Sequence, residues 1–440
     1  MAGSALILGG GVTGLATGIA SGFPVYEAAD VPGGICASYY VRPGRAERLS
    51  APPDDGEAYR FEIGGGHWIF GGAPDVLTFI DTLAPGRRYV RHSSVYFAQD
   101  ELYVPYPLQN NLRYLKDGIA PRALAEMSSR TKSDWRTMAD WLESSFGKTL
   151  FDLFFYPFNV RYTDGLVDRV APQDAYKSPV QLSLAIRGAF QGTSAVGYNV
   201  SYFYPTDGLS ALAQRMAARC TVVYGRRVVE IRPDQKRVVF ADGSEEGYER
   251  LVSTLPLNRA MELSGLTVDT PEDPYTSVLV SNIGATKGAR CPADHWLYIP
   301  DSRAAFHRVG FYSNVDPLFL PASSRDAADR VSIYVERAYQ GSGQRPSAAE
   351  IAAYEQAVVQ ELRDWEFIRD AEVVDSTWID VAYTWSWPGS RWVEKAMETL
   401  RRHDIHQIGR YGKWTFQGIA DSIGDGFMSG AAFRAASQPR

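Results

Sequence analysis

The sequence predicts an α/β chain in three parts: a parallel-sheet unit assembled from separated segments, a mostly helical part, and a strand-rich part. Three observations carry this. A strand, a glycine turn and a helix succeed one another between Ala5 and Ala20, aromatic residues recur at helical spacing from Trp135 to Phe146, and strand-like segments crowd between Ser277 and Arg337. With 440 residues the chain is long enough for two or three domains and a large core. Net charge is −6 and no basic cluster stands out, which argues against a nucleic-acid surface. Three dispersed cysteines, Cys36, Cys220 and Cys291, suggest neither a disulfide framework nor a metal knuckle, and the expected compartment is the cytoplasm.

The first element is Ala5–Leu8, a short buried strand. It is followed by the turn Gly9-Gly10-Gly11 and by a helix starting at Val12. The pattern G-x-G-x-x-G falls on Gly9, Gly11 and Gly14: Gly9 allows the turn, Gly11 leaves room for a pyrophosphate against the backbone, and Gly14 lets helix and strand pack closely. Unsatisfied N–H groups at the helix start would face the phosphates. A second strand, Phe23 to Tyr26, ends in Glu27, eighteen residues after Gly9, where a carboxylate can bond ribose hydroxyls. No charge occurs from Met1 to Tyr26, yet the missing basic n-region and the crowded glycines speak against a signal peptide or a membrane helix. The later Gly33-Gly34 turn resembles the segment that passes along the flavin in two-dinucleotide-binding flavoproteins, which implies FAD rather than NAD.

Two strands are expected between Tyr39 and Phe61, around the turn-rich Ala51–Gly56 loop. Gly64-Gly65-Gly66-His67 follows, and three glycines there imply a backbone that passes something closely or one that moves. His67, one of only six histidines, is placed beside a flavin ring or is a satisfied loop histidine. A hairpin pattern between Val90 and Val104 leads into Tyr106-Pro107-Leu108-Gln109, where two prolines are expected to keep the backbone extended and the Gln109 amide free for a ligand. The stripe Trp135, Met138, Trp141, Leu142 and Phe146 reads as a helix whose apolar face is core. Pro157 should end or kink the continuing helix, exposing Phe154 and Asn159, and Arg169 could be a surface charge.

Leu209–Met216 reads as a helix, and strands are expected at Thr221–Ile231 and Arg237–Phe240. Leu251–Leu255 reads as a buried strand that returns to the first sheet and leaves at Pro256, so the first unit is discontinuous. Strands at Ser277–Ala285, His295–Ile299, Phe306–Tyr312 and Val331–Arg337 make up the strand-rich part. Ser347 with Glu350 forms a capping box for the helix behind it. The expected boundaries are 1–95, 203–268 and 400–440 for the nucleotide-binding unit, 105–202 for the helical part and 270–395 for the strand-rich part.

Taken together, the N-terminal fingerprint, Gly64–His67 and Ser253-Thr254-Leu255-Pro256 resemble the flavin amine oxidase and UDP-galactopyranose mutase superfamily. Val104–Asn111, Phe154–Asn159, Asp168–Pro172 and Trp296-Leu297-Tyr298 look like the eukaryotic-type UDP-galactopyranose mutases, and the matches run in order from Gly9 to Gly430. The resemblance implies a Rossmann-like FAD-binding domain with a helical domain and an antiparallel β-sheet domain. Gly9, Gly11, Gly14, Glu27, Gly33, Gly34, Gly65 and Arg410 would bind the cofactor. Gln109, Phe154, Phe158 and Asn159 would hold uridine, Tyr106, Asn199, Trp296 and Tyr298 would line the sugar-phosphate cleft, and Tyr383 would touch the diphosphate. Arg169 and Arg308 would grip that diphosphate from opposite sides, with His67 on the flavin face.

The implied activity is isomerisation of a UDP- or dTDP-hexose, such as UDP-galactose, between pyranose and furanose (galactofuranose) forms. Reduced FAD would serve as nucleophile through N5 with no net redox change, and NADPH or NADH would be its reductant. The implied partner is a nucleotide-diphosphate sugar, with no nucleic acid and no membrane. Family tyrosines near the phosphates align with Val315 and Phe416, which both lack the hydroxyl. The alternative is an FAD-dependent oxidoreductase of the amine oxidase or desaturase type.

Overall fold

The computed structural model describes residues 5–129, 135–173, 181–192 and 200–436. The first strand, Ala5–Leu8, is apolar throughout and fully buried, as a central parallel strand covered on both faces must be. It pairs in parallel with Val25–Tyr26 on one side and Arg250–Ser253 on the other. The complete sheet runs Val222–Val223, Val25–Tyr26, Ala5–Leu8, Arg250–Ser253, Ile405–Gln407, so the unit is assembled from segments some 400 residues apart. Thr254 fastens the returning strand, because its backbone N–H and its hydroxyl both donate to the Leu8 carbonyl, at 3.0 and 2.9 Å.

The helix Val12–Ser21 leaves the glycine turn with no side-chain cap and no acidic residue in its first turn. Gly14 is required there by backbone contact: a Cβ at this position would lie 1.9 Å from the Gly9 carbonyl oxygen. On the other side the C-terminal helix Ile419–Ala436 packs against it, with Gly426 and Gly430 facing Thr13 and Thr17.

A seven-stranded sheet forms the second layer, in the order Ile368–Thr384, Tyr275–Lys287, Arg330–Gln340, Arg308–Phe311, Trp296–Tyr298, Ser93–Phe97, Leu102–Pro105. It is antiparallel apart from the parallel pair Trp296–Tyr298 and Ser93–Phe97. The sequence reading put residues up to 95 in the nucleotide-binding unit, but the strand from Ser93 and its hairpin partner extend this second sheet instead. The 17-residue strand Ile368–Thr384 had no counterpart in that reading, since its acidic residues break the alternation. The Ser347–Glu350 capping box is present and opens the helix Ala348–Asp364, whose Tyr354, Val358 and Leu362 pack under the sheet.

The helical part departs from expectation at three places. The helix Met138–Leu150 starts after Trp135, which is 44% exposed, and is capped by Thr137 and Asp140. Pro157 does not end the next helix. The chain runs through a π-helical turn, Phe151–Phe155, directly into the helix Tyr156–Thr163, and Pro157 stands where the helix changes from the π to the α period. The segment after Pro107 is a 3-10 turn, Leu108–Asn110, rather than extended chain; the helix Leu182–Phe190 packs on it with Gly188 against the Asn110 carbonyl, and Gln109 is buried. Among the described residues no helix is long and apolar enough to cross a membrane.

Because the Gly14 contact is between backbones, neither side can yield by changing a rotamer. Gly14→Val is expected to lower stability by about 3 kcal/mol, the upper range of overpacking costs, read from urea denaturation; an unchanged midpoint would show that helix and strand are not held at this spacing.

Candidate active site

One long cavity runs from the glycine turn to the face of the seven-stranded sheet. At its first end lie Gly9, Gly11, Glu27, Gly33 and Gly34. Gly11 faces open space, its nearest neighbour in the Cβ direction being the Gly33 carbonyl oxygen at 4.0 Å. The two glycine turns are stitched together by the Gly33 N–H, which donates to the Gly10 carbonyl at 2.9 Å, and Gly33 and Gly34 have φ of +115° and +58°. The Glu27 carboxylate ends the second strand and accepts from the Gly10 N–H at 2.6 Å and the Ala29 N–H at 2.8 Å. An uncapped helix start, a side-chain-free approach and an acid at the next strand end suit a dinucleotide's pyrophosphate and ribose. The residues therefore fit FAD at this end.

In the middle stand Gly64, Gly66, His67, Arg410 and Tyr383. Arg410 is held by the carbonyls of Gln417 (3.1 Å) and Ala382 (3.1 Å), and its guanidinium lies 4.7 Å from the centre of the Phe416 ring. Burial, reinforced by Arg410, pushes the His67 imidazole down to about 4, against the opposing pull of Glu336, so the ring is neutral at physiological pH. Burial likewise raises the Tyr383 hydroxyl and the Cys36 thiol, each to about 12.

The far end is aromatic. The π-helical turn and the helix behind it present Phe154, Phe158, Asn159 and Tyr162, and the sheet presents Tyr298 and Arg308. Phe154 and Phe158 are stacked with ring centres 5.3 Å apart, and Tyr106 lies 4.5 Å from Tyr298. Asn159 Nδ2 donates to the Phe155 carbonyl at 2.7 Å, the carbonyl of a helical turn that the π-bulge has widened. Arg308 stands 5.7 Å over the Tyr298 ring and contacts Glu336 through Nη1 at 3.3 and 3.4 Å. Burial opposes ionisation of Glu336, yet Arg308 and His307 outweigh it and hold the carboxyl down at about 2.

Not every residue expected at the site lines the cavity. Gly14 and Gly65 lie just behind its wall, and Gln109 is buried in the turn Leu108–Asn110. Trp296 is 4% exposed and packs on Phe70 and Tyr202, behind the cavity-lining Phe70. Arg169 does not converge with Arg308: it is exposed, 5.0 Å over the Trp387 ring, in a separate surface depression with Arg136 and Asp168. Asn199 falls outside the described residues. Of the two missing hydroxyls only that at Phe416 faces the cavity, because Val315 is buried in the core. Met138, Trp141 and Leu142, expected as plain core, line the cavity as well. The sequence reading missed Tyr162, Glu336 and Trp385; a charge at an inward position of the apolar strand Val331–Arg337 was the available signal for Glu336.

A parallel-sheet dinucleotide unit joined to an aromatic chamber defines a flavoenzyme of the amine oxidase fold. The chain belongs to the flavin-containing amine oxidoreductase family, whose sequence profile matches residues 23–278, more than half its length. Its fold is similar to that of reduced UDP-galactopyranose mutase, with a TM-score of 0.82, 20% identity, and 99% of this chain and 96% of that chain covered. It is also similar to a putative protoporphyrinogen oxidase from Exiguobacterium sp. 255-15 (TM-score 0.68, 13% identity, 98% of each chain) and to a fatty acid isomerase from P. acnes that produces CLA (TM-score 0.58, 14% identity, 98% of each chain). At these identities the likeness is one of fold.

Imidazole nitrogen resonances of His67 are expected to stay those of the neutral ring from pH 8 to pH 5. Its folded pKa lies below the unfolded value of about 6.5, so its stabilising contribution is present above pH 6.5 and lost as pH falls toward 4. Protonation near pH 6.5 in the folded protein would refute the buried, cation-flanked placement.

Proposed function

We propose that this protein is a flavin-dependent mutase that interconverts pyranose and furanose forms of a UDP- or dTDP-hexose. The observation that carries the reading is Arg308, a permanently charged fork of donors at the end of an otherwise aromatic chamber that opens onto the dinucleotide cradle. A diphosphate suits such planar, charged donors, each charge-assisted bond being worth about 1.5–3 kcal/mol. The likeness of the whole fold to UDP-galactopyranose mutase supports the same reading.

In this proposal Gly9, Gly11, Gly33, Gly34 and Glu27 hold FAD, with Arg410 and the Gly64–His67 loop beside its ring. Bound and reduced, the flavin supplies an electron pair at the sugar's anomeric carbon without net oxidation. Arg308 and Tyr383 bind the diphosphate and steady it as it leaves and returns. Phe154 stacks on the pyrimidine, with Phe158 and Asn159 closing that end, and Tyr106 and Tyr298 wall the sugar. His67, neutral, contributes a hydrogen bond and no positive charge. Arg169, exposed over the Trp387 ring, has no part in this arrangement.

Anaerobic incubation with a panel of UDP- and dTDP-hexoses, comparing oxidised and dithionite-reduced protein, tests the reading. The expected result is a new sugar isomer formed by the reduced protein alone, with the flavin still reduced afterwards. Flavin reduction in proportion to product from an amine or sugar would establish the oxidoreductase reading that the family allows. Arg308→Ala is expected to lower kcat/KM at least tenfold, about 1.4 kcal/mol of transition-state stabilisation; unchanged kinetics would remove the diphosphate role.

A further inference from the structure

Arg308 can grip an anion only if something holds it extended into the cavity, and a long, flexible arginine does not do this unaided. The strand Arg308–Phe311 lies antiparallel to Arg330–Gln340, with Arg308 directly opposite Glu336. Directly opposed residues on neighbouring strands share a face of the sheet and touch. Glu336 is 3% exposed, and its backbone carbonyl also accepts from the His307 N–H at 3.0 Å. Its carboxylate therefore has little freedom. On its other side it abuts the glycine loop: a Cβ on Gly65, where φ is +76°, would lie 3.1 Å from Glu336 Oε1.

The contact between the two charges has a telling length. Nη1 of Arg308 lies 3.3 and 3.4 Å from the two carboxylate oxygens. That is longer than the roughly 2.7–2.9 Å of a tight charge-assisted bond. Glu336 engages one corner of the guanidinium loosely, and the buried Arg308 Nε has no hydrogen-bond partner among the described residues. The fork is tethered and its remaining donors are kept for something else.

We propose that Glu336 is a positioning residue, which aims Arg308 at the anionic part of the ligand and sets the glycine loop and Arg308 at a fixed separation. The inference rests on the anion-binding role given to Arg308 under the proposed function. It requires no contact between Glu336 and the ligand, so its effect must pass through Arg308.

The test is a double-mutant cycle on flavin-loaded protein, with UDP affinity read by calorimetry and inorganic pyrophosphate as a second probe. Glu336→Gln keeps the shape and removes the charge; Glu336→Asp keeps the charge on a shorter stem. Glu336→Gln is expected to weaken UDP binding about tenfold (a 1.4 kcal/mol equivalent), Glu336→Asp to recover part of that loss, and Glu336→Gln to change affinity less than twofold when Arg308 is already alanine. Melting temperature and flavin content show that each variant is folded. Unchanged or tighter UDP binding in Glu336→Gln, or losses that add in the double variant, would overturn the proposal while leaving the proposed function standing. If the unaltered protein bound neither UDP nor pyrophosphate, the anion role of Arg308 and the positioning role of Glu336 would fall together. A Glu336→Gln protein that does not fold passes the test to Glu336→Asp, for which unaltered affinity in the presence of Arg308 overturns it equally.

Discussion

Two helices from opposite ends of the chain meet at backbone distance, and the site depends on that contact. Cβ atoms added at Gly426 and Gly430 would lie 2.4 and 2.6 Å from the carbonyl oxygens of Thr13 and Thr17. The nearest side chains beside these contacts are only the methyls of Ala16 and Ala20, so the helix after the glycine turn is pinned between its own strand at Gly14 and the C-terminal helix. Its uncapped amides are thereby fixed in direction, and the segment Gly409–Gly418, just ahead of the C-terminal helix, is brought along the cavity wall. Asp425 secures that segment, accepting from the Gly409 N–H at 2.9 Å and from Lys413 Nζ at 2.5 Å. The glycine-turn end of the cavity and the Gly409–Gly418 wall are therefore consequences of a single close packing.

The chamber itself is made by a different device. A π-helical turn widens the helix at Phe151–Phe155, and the altered phase brings Phe154, Phe158 and Asn159 to the same wall. Facing them, the strand pair at Arg308 and Glu336 supplies charge where the surroundings are aromatic. Behind the glycine loop a buried polar group stabilises the layer: Glu62 accepts from Tyr204 and, at 3.0 Å, from Ser38, and burial raises its carboxyl to about 7. The Glu62 backbone carbonyl in turn accepts from Asn282 Nδ2 at 3.0 Å, which ties the loop's supporting strand to the large sheet.

Local chemistry was legible in the sequence, and long-range register was not. The glycine fingerprint, the acid at Glu27, the returning strand at Arg250–Ser253 and the Ser347 cap each depend on a few neighbouring residues, and each is where the pattern put it. Pro157 was misread because a proline's effect depends on whether a turn starts or continues there, which the π-bulge decides. Trp296 and Tyr298 share a face of their strand but not a fate, since Phe70, which lines the cavity, packs against Trp296 and only Tyr298 reaches it. Glu336 was invisible as a partner of Arg308, 28 residues earlier, until the strands were in register. The outward placement of Arg169 likewise follows from Trp387, more than two hundred residues away in sequence.

The strand order of the parallel sheet also constrains how the chain reaches its native state. Its edge strand, Ile405–Gln407, and the helix that locks the glycine turn, Ile419–Ala436, come from the last part of the sequence. The first strand finds one partner nearby in Val25–Tyr26, but the other, Arg250–Ser253, lies more than two hundred residues downstream, a topology of high contact order that folds slowly. Until residues 405–436 leave the ribosome, the nascent protein lacks both the edge of its sheet and one wall of its dinucleotide cradle. The dinucleotide cradle is thus complete only once that segment has joined the sheet, and a ligand held in it stabilises the completed fold over every earlier one.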